Sequence, residues 1–365
     1  MLFLLYICPK FIIVNHRCHS NAPFGVVSVI FYLFNVLPGD PARMMLGQNE
    51  DEDQLKIVQK KYGFDQPIFT QYLYYLNDLS PVSLHSNNKD HYTQLSSNKY
   101  KHVKLIGTPN NQLVLKFPYL RTSFTRQGMS VSQILRDTLP NTFVLASSSI
   151  FIALILGTFL GILSALYKDH WVDKLILVVS TLGMSLPSFF SAIIFAWLFG
   201  FLWHEFTGLE MTGNLYELDD FGERVQLQLQ NLILPALVLG VRPLAVVSQL
   251  MRNSLLEVFN QEYIKTARAK GLSEKQVLFK HALKNAMSPV ITAISGWFAS
   301  LLAGAVFVEY IFGWNGIGKE IVNALNTLDL PVIMGAVLII ATIFVLLNIV
   351  VDIIYAYLDP KIKLN

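Results

Sequence analysis

The residues that look most like chemistry lie at 313–320: Gly313, then Gly318 five positions on, then Lys319 and Glu320. This nearly fits a phosphate loop, in which a glycine turn, a lysine and a Ser or Thr hydroxyl hold nucleotide phosphate and magnesium. Glu320 stands where the hydroxyl belongs, and its charge would repel phosphate. An apolar, membrane-type helix precedes the turn where a strand is required. The pattern reads as a mimic, so this chain is not expected to hydrolyse ATP. The eight histidines are scattered, none within helical spacing of another inside an apolar run, so no metal site or proton relay is expected. No Gly-x-Ser-x-Gly or His-Glu-x-x-His motif occurs, and membrane hydrolase chemistry has no candidate residues. Cys8 and Cys18 lack zinc spacing and read as incidental.

A second cluster is basic. Residues 262–289 hold Lys265, Arg268, Lys270, Lys275, Lys280 and Lys284 between two apolar runs. Gly271 is placed to end one short helix in the left-handed conformation. Ser273 and Gln276 have the spacing of a capping box that starts another. Val277, Leu278, His281, Ala282 and Asn285 then fall near one face, which reads as an interfacial stripe beside the basic residues. Anionic lipid would need only the positive charge. The glycine stop and the capped second helix point to a protein that grips the loop.

The elements that position these residues are membrane helices. The 365 residues are 53% hydrophobic and 15% charged, against about 25% charged for a soluble domain. Runs of about 20 apolar residues cross a bilayer as helices, and six candidates occur: 24–37, 142–167, 175–203, 231–251, 289–307 and 332–357. Pro187 inside the third removes a backbone hydrogen bond, so a kink or short break is expected near Ser185–Pro187. Residues 1–14 are apolar but too short to span, with no basic residue before them. They read as a surface lead-in or an imperfect chain start rather than a cleaved signal.

Charge sets the orientation. The loop 252–284 carries Arg252 and the lysines above, whereas 204–230 holds Arg224 against Glu205, Glu210, Glu217, Asp219, Asp220 and Glu223. Cationic loops stay in the cytoplasm, so both termini are expected there, as Lys10, Arg17, Lys361 and Lys363 agree. The polar stretch 38–140 then lies outside, with a short helix expected over 53–62 and a short strand over 113–119. Gly157, Gly161 and Ala165 share one face of the second span, and Gly296, Ser300 and Gly304 one face of the fifth. Such faces suit either packing within the bundle or contact with a second membrane subunit.

Arg242 is the one charge deep inside a span, near the midplane at 1.5 Å rise per residue. Arginine there costs on the order of 2.5–3.5 kcal/mol, so it must meet water or a partner. It either lines a path and attracts a carboxylate, or makes a structural contact; Pro243 beside it suggests a local break. Asp352, near the inner end of the last span, reads as structural.

Thr266-Ala267-Arg268-Ala269-Lys270-Gly271-Leu272, followed by Lys280-His281-Ala282-Leu283, resembles the "EAA" loop of ABC importer permeases. The version with Tyr263 three residues before Thr266 is similar to the dipeptide, oligopeptide and nickel branch. Lys265-Thr266-Ala267 stands where the general consensus has Glu-Ala-Ala, and Lys284 where a proline follows the leucine; both are usual in the peptide branch. Leu37-Pro38-Gly39-Asp40-Pro41, the run Glu309-Tyr310-Ile311-Phe312 with Gly316 and Gly318, and Asn348 to Pro360 resemble further stretches of that branch. Residues before Phe24 do not match, and 81–111 look like an insertion.

The resemblance implies an all-α polytopic membrane protein with six transmembrane helices and the ABC type I importer permease fold, carrying a mixed extracytoplasmic insertion between spans 1 and 2. Its parts would be a lead-in and first span (1–37), an outer segment (38–130), the type-1 domain (131–357, coupling loop about 252–288) and a cytoplasmic tail (358–365). It implies a non-catalytic subunit of a peptide importer in the bacterial plasma membrane. Thr266, Ala267, Arg268, Ala269, Gly271, Ser273 and Leu283 would meet the ATPase, and Arg242 and Pro187 would border the translocation path. The implied partners are a second homologous permease, two cytoplasmic ATPases holding ATP and magnesium, an outer binding protein and the bilayer, with no nucleic acid and no cofactor on this chain. A permease for nickel complexes or other small solutes is the alternative within the class; a stand-alone secondary transporter is the alternative outside it. That last class would call for intramembrane acids or broken helices in matching repeats, and no clear repeat is visible.

Overall fold

The structure, a computed structural model, describes residues 22–36, 41–46, 51–88, 91–95, 102–126, 128–219 and 222–358. Cys8, Lys10, Arg17, Cys18, the Leu37–Asp40 part of the Pro-Gly-Asp motif, Lys361, Lys363 and the side chain of Asp352 lie outside the described residues, as does part of 81–111. The chain divides into two compact units, Met1–Asp137 with Glu320–Thr342, and Thr138–Lys319 with Ile343–Asn365.

The first unit begins with the apolar helix α1 (Ala22–Val36), then α2 (Pro41–Leu46), α3 (Glu52–Tyr62) and α4 (Ile68–Leu79). The Asp51 carboxylate caps α3 by accepting from the Asp53 amide at 3.1 Å. α4 escaped the sequence reading because its aromatic residues favour strands in isolation. Its Tyr72, Tyr75 and Asp78 lie three residues apart and are buried together. Phe31 of α1 packs on Tyr72 and Tyr75 with ring centroids 5.3 and 5.6 Å away. Strands β1 (Val82–Ser86), β2 (His102–Gly107) and β3 (Asn111–Lys116) form an antiparallel sheet in the order β1-β3-β2. The strand expected over 113–119 is thus β3, three residues shorter at its end. Asp78 fastens the unit: it accepts from Arg121 Nε at 3.0 Å and from the Tyr92 hydroxyl at 2.9 Å. The Arg121 guanidinium lies over the Tyr75 ring at 5.2 Å. Asp329 accepts in turn from the Thr125 hydroxyl at 2.9 Å and from the Phe124 amide at 3.1 Å.

The second unit holds most of the long helices. α5 (Val131–Leu166) begins in the first unit; α6 (Trp171–Ser185), α7 (Ser188–Phe195), α8 (His204–Thr207), β4 (Tyr216–Leu218), β5 (Val225–Leu227) and α9 (Gln230–Phe259) follow. Then come α10 (Glu262–Ala269), α11 (Glu274–Gln276), α12 (Leu283–Gly304), α13 (Val306–Ile311), α14 (Ile317–Asn326) and α15 (Leu330–Leu358). Among the described residues, three helices (α5, α9 and α15) are long and apolar enough to cross a membrane; α6 with the α7 segment would make a fourth. α1 is apolar but shorter, and α12 is not among them.

The expected kink at Pro187 is a full break: the two halves of that span are bent by 110°. The break expected beside Pro243 is absent, because α9 runs unbroken through Pro235 and Pro243. Each proline removes one hydrogen bond. Pro235 and Pro243 are buried together with Val238, Leu239, Ala245 and Val247, and this packing keeps the helix continuous where Pro187, exposed on the surface, has no such clamp. The small face of α5 lies inside the bundle. A Cβ on Gly161 would stand 2.6 Å from the Ser248 carbonyl and from Met251 Cβ of α9. The α12 face differs: nothing lies within 4 Å of a Cβ on Gly296, and Ser300 is exposed.

Candidate functional site

The basic loop folds as the two-helix unit its sequence implies. α10 ends at Ala269 with Lys270 as its cap, and Gly271 follows at φ 78°, where a side chain would be strained. Its amide bonds the Arg268 carbonyl at 2.9 Å. Ser273 and Gln276 form the capping box, with Ser273 N–H donating to Gln276 Oε1 at 3.2 Å and Gln276 N–H to Ser273 Oγ at 3.4 Å. Arg268 bridges the two helices through Glu274, Nε to Oε1 at 2.9 Å and Nη2 to Oε2 at 3.1 Å, and its guanidinium lies 5.7 Å from the Phe259 ring. The Tyr263 hydroxyl accepts from Asn285 Nδ2 at 2.8 Å, tying α10 to the start of α12.

Below this surface is a core shared with the spans: Ile264, Ala267, Val277, Leu278 and Ala282 pack with Met251 and Leu255 of α9, Ala165 of α5, and Ala286 and Val290 of α12. Burying that many aliphatic side chains, at about 1.5–3 kcal/mol each for the larger ones, makes the loop an extension of the helices. This corrects two expectations. Val277, Leu278 and Ala282 form a core stripe facing their own chain, not an outward interfacial one. Ala267 is turned inward, 6% exposed; Leu283 is half-buried against the same core. Thr266, Arg268, Ala269, Gly271 and Ser273 stand exposed along the outer side.

Arg242 reaches the helix that ends before Pro187 but makes its contact at Met184. Arg242 is exposed, and its Nη2 donates to the Met184 carbonyl at 3.5 Å, two residues before the break at Leu186–Pro187. The contact is long and leaves most of the guanidinium's donors facing outward.

The phosphate-loop mimic is a helix cap. Lys319 Nζ donates to the Gly313 carbonyl at 2.8 Å and to Asn315 Oδ1 at 2.9 Å, folding the lysine back on its own turn. Fully buried Glu309 sits under α14 and accepts from the Gly318 amide at 2.6 Å. Trp314 Nε1 donates to the Asn141 carbonyl at 3.1 Å, and Thr142 Oγ1 accepts from the Ile317 amide at 2.9 Å. A Cβ on Gly318 would lie 2.8 Å from Glu309 Oε2. That contact accounts for an acid followed by a Gly-x-Gly pair. Burial pushes the Glu309 carboxyl up to about 7, against the opposing pull of Thr142 and the amides of Gly318 and Lys319.

Sequence reasoning missed one cluster. Asp173, in the first turn of α6, is 2% exposed and takes a two-pronged grip from Arg252 of α9, Nε to Oδ1 and Nη2 to Oδ2, both at 2.7 Å. Ser164 of α5 donates to Oδ1, and the Asp169 amide to Oδ2 at 3.0 Å. Arg252 reads from the sequence as one of the loop charges; the acid at 173, just before a mostly apolar run, is the available signal.

The described residues thus combine long apolar helices, one of them in two halves bent at Pro187 near Arg242, with a loop fastened to those helices and exposed on its outer side. The chain belongs to the family described as binding-protein-dependent transport system inner membrane component, which matches residues 157–364; the family's N-terminal segment matches 11–91, so the resemblance begins before Phe24 and takes in 81–91, against the expectation of an unmatched start and an insertion from 81. Among its relatives, the dipeptide transport system permease protein of Alkalihalophilus pseudofirmus is 32% identical over 352 residues, 93% of this chain and 95% of that protein. The glutathione transport system permease protein of Escherichia coli K12 is 30% identical over 339 residues, 93% of this chain and 94% of that protein. Among solved structures, an inward-facing MetNI methionine ABC transporter aligns at 17% identity and a TM-score of 0.48, covering 62% of this chain and 97% of that one.

Proposed function

We propose that the chain is the permease subunit of an ATP-driven importer of short peptides, with the type I permease fold and six spans, set in a bacterial inner membrane with both termini in the cytoplasm. The observation that carries the reading is the loop 262–283: its inner side is part of the bundle core, so a push on its outer side moves the spans. The relatives named for dipeptide and glutathione transport support a short-peptide cargo. The chain itself is non-catalytic and holds no cofactor. Two cytoplasmic ATPases, carrying ATP and magnesium, drive the transporter; one of them grips Thr266, Arg268, Ala269, Gly271 and Ser273 of this chain, while Ala267 and Leu283 anchor the loop from beneath. A second homologous permease covers the open face at Gly296 and Ser300, and an outer binding protein delivers cargo. Arg242, beside the break at Pro187, offers a cation to the peptide carboxylate on its way through.

The direct test is retention of the ATPase. The chain solubilised from its own membrane is expected to carry an ATPase subunit, an Ala269→Ser variant to keep it, and an Ala269→Asp variant to lose it while staying folded. An Ala269→Asp variant that retains the subunit, or a wild-type chain that never carries one, would contradict the coupling role.

A further inference from the structure

We propose that Asp173 and Arg252 are positioning residues of the transport cycle: together they lock the second, third and fourth spans to the coupling loop, so that displacement of the loop reaches the break at Pro187. The proposal rests on the importer reading above and adds the element that would carry the motion.

Four hydrogen bonds meet on this one carboxylate, two on each oxygen, from three directions: Ser164 on α5, the Asp169 amide in the α5–α6 turn, and both prongs of Arg252 on α9. Each contact restrains a different relative movement. A two-pronged guanidinium–carboxylate pair fixes orientation as well as distance, so α6 can neither slide along α9 nor turn about its own axis without losing one prong. The carboxylate is 2% exposed and the Arg252 side chain 16%, which keeps water from substituting for either.

The position of the pair is what gives it more than a local role. From Arg252, α9 continues without interruption to Phe259, and only Asn260 and Gln261 separate it from α10. Met251 and Leu255 on the same helix pack into the core under α10. Any displacement of α10 therefore moves the Arg252 guanidinium. On the other side, Asp173 opens α6, which runs as one rigid helix to Ser185 and the break. Met184, at that far end, meets Arg242 of α9. α6 is thus held to α9 at its start by Asp173–Arg252 and touches it again beside the mid-span cation. With the first contact intact, a push on α10 arrives at the break; without it, only close packing such as Gly183 on Val241 holds α6 to α9, and α6 can lag behind.

The experiment uses the intact transporter, this chain with its partner permease and ATPases, reconstituted in vesicles. It reads peptide moved per ATP hydrolysed for wild type, Asp173→Asn, Arg252→Gln, Arg252→Lys and the exchange Asp173→Arg with Arg252→Asp. The single variants are expected to keep their ATPase subunits and hydrolyse within about twofold of wild type while the ratio falls about tenfold or more. Arg252→Lys, which keeps the charge and loses the fork, is expected to fall as well, and the exchange to recover part of the ratio. The proposal is overturned if the single variants keep the wild-type ratio, whether both rates fall together or neither does, or if they shed the ATPases, since the pair would then serve folding or assembly. A wild-type complex with no ATP-dependent transport would sink the importer reading instead.

Discussion

Glu309 shows how a single residue can carry a motif that looks functional. Its carboxyl titrates near 4.5 when unfolded and is pushed up to about 7 in the fold by burial. Between those values the folded chain keeps a proton that the unfolded chain has released. Its contribution is therefore most favourable below about pH 4.5 and declines as pH rises to 7, by about 3 kcal/mol in all at 1.36 kcal/mol per pH unit. A Glu309→Gln variant, neutral throughout, is expected to lose this decline. Unfolding midpoints measured at about pH 5 and about pH 7.5 should differ less in the variant than in wild type; equal differences would refute the assignment. Arg242 makes a second residue-level prediction. Arg242→Gln is expected to leave assembly and ATP hydrolysis intact and to raise the concentration of peptide needed for half-maximal uptake. Normal uptake with fewer assembled complexes would instead make Arg242 structural.

At the scale of elements, the sequence was most legible where local rules decide. Gly271 and the Ser273–Gln276 box could be placed from the residues alone, because a left-handed stop and a reciprocal cap depend on a few adjacent positions. It was least legible where tertiary packing decides. Nothing in the sequence distinguishes Pro187, which breaks its span, from Pro243, which does not; buried neighbours around α9 make the difference. Ala267 and the Val277–Leu278 pair look partner-facing because the core beneath them is completed by faces of α5, α9 and α12 that only the tertiary fold brings together. Asp173 finds Arg252 across 79 positions, a pairing that no local pattern announces. The α5–α9 contact gives a further test. Gly161→Ala would place a Cβ against the Ser248 carbonyl and Met251, and is expected to destabilise the chain by about 1–3 kcal/mol. Gly296→Ala, facing open space, should cost far less in the isolated chain and instead weaken pairing with the second permease. A comparison of unfolding midpoints and of dimer recovery separates the two.

For the molecule as a whole, the elements connect in one direction. In the proposed cycle the exposed side of α10 receives the ATPase, and the core it shares with α5, α9 and α12 passes movement to those helices. The Asp173–Arg252 pair would then bring α6 along to the break at Pro187, near Arg242. The cap built on Glu309 and Trp314 closes the opposite end of α12 and fixes the chain where it turns back towards α14. Lys319 of the phosphate-loop mimic is folded back on Gly313 and Asn315, and in the proposed function ATP is held by partner subunits. The energy source is therefore the decisive question. It is answered by reconstituting the complete transporter in vesicles, with its binding protein outside, and measuring entry of a labelled dipeptide. Uptake that needs ATP on the ATPase side, stops when hydrolysis is blocked and persists with every ion gradient collapsed is the predicted result. Uptake driven by an ion gradient through this chain without ATP would contradict the account.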